Sequence, residues 1–143
     1  MKRQLLRIID ANLNRSREGL RVCEEIARLG LNAQGLARDL KGMRDRVSLL
    51  ARDIDIRSGG IASARDVRRD VGRSSRFRGG VRRQAVRDIF AANMQRVKES
   101  LRVLEECVKL LYPGHERAFS RLRFRTYEIE KKALQRIDRL RHH

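Results

Sequence analysis

The segment from Ala11 to Glu25 returns 81 positions later as Ala92 to Glu106, and both copies read A-N-x-x-R-x-x-E-x-L-R-V-x-E-E. A polar pattern at helical spacing, built twice into one short chain, restricts the fold to something assembled from two like halves. The second part of each half is marked as well: Gly35, Leu40 and Arg44 fall opposite Gly114, Phe119 and Arg123 at an offset of 79. A two-residue deletion in the turn of the second half accounts for the change of offset. The repeated unit is therefore a helical hairpin.

Composition supports helices throughout. One Pro, no Trp and 4% aromatic residues, set in a chain rich in Arg, Leu, Ala and Glu, argue against β-structure. At 143 residues there is room for one core. The expected fold class is all-α, a helical bundle of two duplicated helical hairpins joined by a long Gly/Arg-rich crossover. Hairpin one covers 4–54, the crossover 55–80 and hairpin two 81–141, all within a single domain, 1–143. Helix one is expected from Gln4 to Leu29 with Gly30 as its stop, and Asn32 as N-cap of a second helix from Ala33 to Ile54. Helix three runs from Val81 to Leu111, Pro113-Gly114 makes the turn, and helix four ends near Leu140. The expected order is up-down-up-down with one long crossover.

No apolar run approaches the roughly 18 residues that a membrane span needs, and Met1-Lys2-Arg3-Gln4 leads into an amphipathic pattern rather than a signal peptide. A cytoplasmic protein without membrane contact is the expectation. Cys23 and Cys107 lack metal-site spacing and lie on apolar stripes, so both read as buried, reduced thiols.

Helix one carries two apolar arcs. At 100° per residue, Leu6, Ile9, Leu13, Leu20 and Ala27 fall on one side, and Ile8, Val22 and Ile26 on another. Helix three repeats this, with Phe90, Met94, Leu101 and Val108 opposing Val103, Cys107 and Leu110. Two arcs imply more than one neighbour, and a homodimer interface is one way to supply it.

The repeated polar residues sit on the second arc. Arg15 falls between Val22 and Ile26, with Asn12, Gly19 and Glu18 around it; Arg96 falls between Val103 and Cys107, with Asn93, Ser100 and Glu99. A guanidinium on an apolar arc, beside a residue as small as Gly19 or Ser100, leaves space for a ligand. The alternative is structural: Glu18, Arg21 and Glu25 have the spacing of helix-surface ion pairs. Glu24 and Glu105 project near the main apolar stripe, where each requires a partner such as an Arg from a facing helix. No Glu-x-x-His motif exists, which argues against a permanent transition-metal centre.

The net charge is +17, and Arg57 to Arg83 holds nine arginines against Asp66 and Asp70. Such a surplus favours polyanions, whether nucleic acid, nucleotides or phosphorylated metabolites. Specific nucleic-acid recognition lacks support, since no recognition module appears and only Phe77 is aromatic within the crossover. A basic nucleic-acid binder would show affinity that falls steeply with salt. Phosphoryl transfer needs no Walker-type loop, because positioning and charge neutralisation by arginines and a carboxylate-held Mg²⁺ carry most of its catalysis.

These motifs are specific enough to compare with a family. Ile9-Asp10-Ala11-Asn12-Leu13-Asn14-Arg15 with Glu18-Gly19-Leu20-Arg21-Val22 carries the likeness in the first hairpin. In the second, Ala92-Asn93, Arg96, Glu99, Leu101-Arg102-Val103-Leu104-Glu105-Glu106, Phe119 and Leu122-Arg123-Phe124-Arg125-Thr126-Tyr127 carry it. With these, nearly the whole chain resembles the small helical hydroxymethylpyrimidine-phosphate kinases, which occur alone or fused ahead of thiamine-phosphate synthase. The crossover departs from the family's Arg-Asp-Thr-Pro-Gly-Asp-Val-Gly: Arg65-Asp66 is followed by Val67-Arg68-Arg69 and then Asp70-Val71-Gly72.

The resemblance implies an enzyme of thiamine biosynthesis, a transferase phosphorylating hydroxymethylpyrimidine phosphate with ATP as co-substrate and Mg²⁺ as cofactor. With no (β/α)₈ region in the sequence, it implies the stand-alone form. Under it Arg15, Arg96 and Arg65 clamp phosphates, Asn12, Asn93, Arg21 and Arg102 contact substrate, and Glu18, Glu99 or Asp70 hold Mg²⁺. Partners implied are a small phosphorylated pyrimidine and thiamine-phosphate synthase, while the homodimer is an expectation from the two apolar arcs. The alternative is a non-catalytic domain that binds a phosphorylated pyrimidine or a partner of thiamine metabolism.

Overall fold

A computed structural model describes residues 1–61 and 83–140, with residues 83 and 84 described by their backbone alone. It consists of α1 (Lys2–Glu25), a one-turn π-helical extension (Ile26–Gly30), α2 (Gln34–Ser58), α3 (Arg83–Leu111) and α4 (Glu116–Leu140). The all-α expectation holds. Every residue assigned to the first arcs is in the core: Leu6, Ile9, Leu13 and Leu20 from α1, Ala27 from its π-helical extension, and Phe90, Met94, Leu101 and Val108 from α3. Leu40, Met43, Val47 and Ile54 of α2 and Phe119, Leu122, Ile129 and Ile137 of α4 complete it.

The chain direction differs from the expected up-down-up-down order. Ser16 lies against Ser100, Gly19 against Val97 and Cys23 against Phe90, so α3 runs antiparallel to α1. Glu24 meets Arg44, and α3 meets α4 through Glu105–Arg123, Lys98–Glu130 and Arg87–Asp138. Each hairpin is thus antiparallel internally, and α2 is parallel to α3. Ile61 and Arg83 consequently stand at opposite ends of the bundle.

The reason lies in the repeat. An offset of 81 carries Ser16 onto Val97 and Gly19 onto Ser100. The Ser16–Ser100 and Gly19–Val97 contacts are therefore one contact seen from the two halves, and a pseudo-two-fold axis passes between α1 and α3. Two copies of one helix face can pack across such an axis, and where it lies perpendicular to the helices, as these contacts place it, they run in opposite directions.

Helix ends follow local chemistry. Gly30 does not stop the first helix at an α-turn, because the chain passes through the π-turn and closes with Leu31 N–H on Ile26 O (2.9 Å) and Ala33 N–H on Ala27 O (2.7 Å). Asn32 is not the N-cap of α2. It sits at φ 50°, a left-handed conformation that Asn tolerates, and Ala33 occupies the N-cap position without a side-chain bond. α2 extends past Ile54 to Ser58, so the first residues assigned to the crossover are helical. Gly59 at φ 79° ends it, and Asp55 Oδ1 accepts from Ile61 N–H at 2.7 Å.

Candidate functional site on the outer face of α1 and α3

The crossing of α1 and α3 is close because small residues line it. A Cβ on Gly19 would stand 2.8 Å from Val97 Cγ2 and 3.1 Å from the Asn93 carbonyl oxygen. Ser100 is buried, its hydroxyl 2.7 Å from that of Ser16, which in turn donates to Asn12 O (2.8 Å). The expectation that Gly19 and Ser100 leave room for a ligand is thereby corrected. Their smallness is used up by the opposite helix.

What remains available lies outward. Arg15, Arg96, Glu18 and Glu99 are exposed, Asn12 is buried and Asn93 half-buried. Both asparagines bond alike, Nδ2 donating to the carbonyl one turn earlier: Asn12 to Ile8 O (2.8 Å) and Asn93 to Ile89 O (2.9 Å). Each carboxamide is thus held at the edge of the α1–α3 seam. Neither Arg15 nor Arg96 makes an ion pair or side-chain hydrogen bond among the described residues. Glu18 is likewise unpaired, and Glu99 only accepts from Gln95 (3.1 Å).

The other repeated charges are engaged. Arg21 pairs with Glu25 (3.2 Å), and Arg102 reaches Glu105 (3.2 Å) and Glu106 (3.4 Å). Glu24, fully buried, is held by Arg28 of its own helix and by Arg44 of α2 at 3.0 Å. Glu105 is held by Arg123 of α4 at 2.7 Å, which keeps that guanidinium above its ordinary pKa. The expected facing-helix arginines for Glu24 and Glu105 are thus found in both halves. Arg65 and Asp70 lie outside the described residues.

Helical geometry places Glu18 about 60° around α1 from Arg15, on the side away from α3, and Glu99 correspondingly on α3. The two carboxylates flank the face rather than converge. Among the described residues no three His, Cys, Asp or Glu side chains gather as a metal site. Mg²⁺ fits here only in its usual form, held by one carboxylate together with phosphate oxygens and water.

Several features were not foreseen from sequence. The Ser16–Ser100 contact could have been read from the offset, had an antiparallel crossing been considered. Lys98, paired with Glu130 (2.9 Å) and 4.7 Å from the Tyr127 ring centroid, has no such signal, because its counterparts in the first half are Arg17 and Ala51. Both cysteines are free thiols. Burial pushes the Cys23 thiol up to about 12, while Cys107 is half-buried and raised for the same reason. No helix among the described residues is long and apolar enough to cross a membrane.

Comparison with known proteins adds to this geometry. The model of the ThiD2 family matches residues 7–132. A thiamine-phosphate synthase of Nostoc sp. is 39% identical over 124 residues, 87% of this chain and 34% of the relative. One of Synechocystis sp. is 41% identical over 126 residues, 88% and 35% respectively. One of Gloeobacter violaceus is 34% identical over 129 residues, 90% and 36%. The chain spans about a third of the length of these relatives. No solved structure matches it.

Proposed function

The chain belongs to the ThiD2 family, and we propose that it is an enzyme of thiamine biosynthesis that phosphorylates hydroxymethylpyrimidine phosphate to the diphosphate with Mg²⁺-ATP. The observation that carries this reading is the pair of exposed guanidinia, Arg15 and Arg96, which lie at equivalent positions of the repeat and make no ion pair among the described residues. Most other charges of the repeated motif are tied into the fold. Free arginines beside fixed carboxamides suit two anionic substrates that must be brought together against their own repulsion.

In this reaction an oxygen of the acceptor's phosphate forms a bond to the γ-phosphorus of ATP, the bond to the β-bridging oxygen breaks, and ADP leaves. The acceptor is already ionised, so no general base is required. Arg15 and Arg96, with Arg65 of the crossover, clamp phosphates, and Asn12 and Asn93, the first buried and the second half-buried, orient polar groups of the substrate at the seam. Arg21 and Arg102 reach substrate by exchanging their exposed partners, Glu25 and Glu106, for phosphate. Glu18, Glu99 or Asp70 would hold a Mg²⁺ ion, which would supply charge neutralisation at the transferred phosphate.

A second reading is favoured by one observation, the replacement of the family's Thr-Pro-Gly by Val67-Arg68-Arg69. It makes the chain a non-catalytic domain that binds a phosphorylated pyrimidine, or thiamine-phosphate synthase, as partner. The discriminating experiment follows ADP release from Mg²⁺-ATP with and without hydroxymethylpyrimidine phosphate, with the product identified by mass. Pyrimidine-dependent ADP and a diphosphate product are expected. Thermal stabilisation by the pyrimidine phosphate without ATP consumption would favour the binding domain instead.

A further inference from the structure

We propose that the outer face of the α1–α3 pair is the surface on which two copies of this chain associate. The face carries Ile8, Arg15, Val22 and Leu29 on α1 and its π-turn, and Ile89, Arg96, Val103 and Leu110 on α3. These are the same residue types at the same heptad spacing in both halves. Ile8 is 42% exposed, Val22 37%, Leu29 75% and Leu110 66%. Exposed positions of a lone helix accept polar residues at no cost, yet here isoleucine, valine and leucine stand twice.

Charge selects a second copy as the occupant. Within about 60° of Arg15 and of Arg96 around their helices, from residue 4 to 29 and from 85 to 110, the charged side chains are Arg15, Glu18, Arg96 and Glu99. They sum to zero on a chain whose net charge is +17. Two chains of this net charge repel one another on average, and an electrically neutral face lowers that penalty. Because α1 and α3 are antiparallel and alike, the face reads the same from either end. A copy turned about a two-fold axis sets apolar stripe on apolar stripe.

The association does not depend on the phosphoryl-transfer reading. Only one consequence rests on that reading, namely that a second pair of these arginines is brought to the same seam.

The test is the mass in solution of the full chain, measured by light scattering at low and at high salt, for wild type and two variants. Wild type is expected at twice 16.7 kDa, with high salt not dissociating it. Ile8→Asp with Leu110→Asp, both at exposed positions, should give the monomer mass with helical content and Tm retained. Leu49→Asp, at a leucine 55% exposed on α2, should remain dimeric. A monomeric wild type, or an Ile8/Leu110 variant that stays dimeric, would overturn the proposal. A monomeric wild type would leave the face to residues 62–82 or to another protein. Both outcomes are read without any activity assay, so failure of the enzyme reading cannot imitate them.

Discussion

The two hairpins began as one sequence and now differ most at their turns. At the end of the bundle closed by hairpin one, Leu31, Leu36 and Ala37 pack on the core. Their counterparts in hairpin two are Tyr112, His115 and Glu116, and Tyr112 Oη, His115 Nδ1 and Glu116 Oε2 are buried without a hydrogen-bond partner among the described residues. Along the helices the opposite holds. The Glu24–Arg44 and Glu105–Arg123 pairs, the Asn12 and Asn93 back-bonds and the unpaired arginines are the same in both halves. The buried glutamates with their facing-helix arginines, and the residues of the outer face, are alike in the two halves, while those that close an end differ.

The largest effect expected from disturbing this comparison comes from the buried carboxylates. Glu24→Ala leaves Arg44 facing the core without its acceptor and should cost about 3 kcal/mol, roughly 6–10 °C in Tm. Glu105→Ala should cost less, about 2 kcal/mol, because Glu105 is 8% exposed where Glu24 is 0% and one of its partners, Arg102, is 59% exposed. Equal losses would remove the difference drawn between the halves.

Next is the crossing. Gly19→Ala forces Val97 and the Asn93 carbonyl away and should cost about 1–2 kcal/mol, despite alanine's better helix propensity. At the equivalent position Ser100→Ala meets no such clash and forfeits its bonds to Ser16 and to Val97 O (3.0 Å), about 1 kcal/mol. A Gly19→Ala protein as stable as wild type would mean the helices do not approach this closely. At the turn, His115→Leu installs the residue of hairpin one, removes an unpartnered nitrogen and fills part of a cavity of about 100 Å³ beside Leu50, Ile54 and Phe119. It should raise stability by about 1 kcal/mol, and a lower Tm would show that His115 has a partner.

The smallest effect concerns the thiols. Cys107 should react with an alkylating reagent in the folded protein well before Cys23, whose thiol stays protonated up to about pH 12. The sign follows from the raised folded pKa: stability is full below the unfolded thiol's value near 8.5 and falls as pH rises toward that of Cys23. A wild-type Tm falling no faster above pH 9 than that of Cys23→Ala would contradict this.

The hairpins, the core arcs and the facing-helix partners of Glu24 and Glu105 were legible in the sequence, because helical period and the cost of an unpaired carboxylate act locally. The direction of α3 was not, since a repeat of 81 residues is compatible with either sense until the contact across the axis is known. Gly19 shows the same limit from the other side. A small residue on an apolar arc signals close approach, but only the fold tells whether a ligand or a helix comes near. The free state of Arg15 and Arg96 was likewise open, because Glu18 and Glu99 stand at ion-pair distance in sequence yet point to the flanks.

The central claim is that the two copies contribute to one site across their crossing, and the turnover of Arg15→Ala, Arg96→Ala and the double variant tests it most directly. A single shared site predicts that each substitution alone lowers pyrimidine-dependent ADP release at least about tenfold, with folding retained and the double variant losing less than the product of the two. Two independent sites, one per hairpin, would leave each single variant with about half of wild-type turnover. That result would contradict the account.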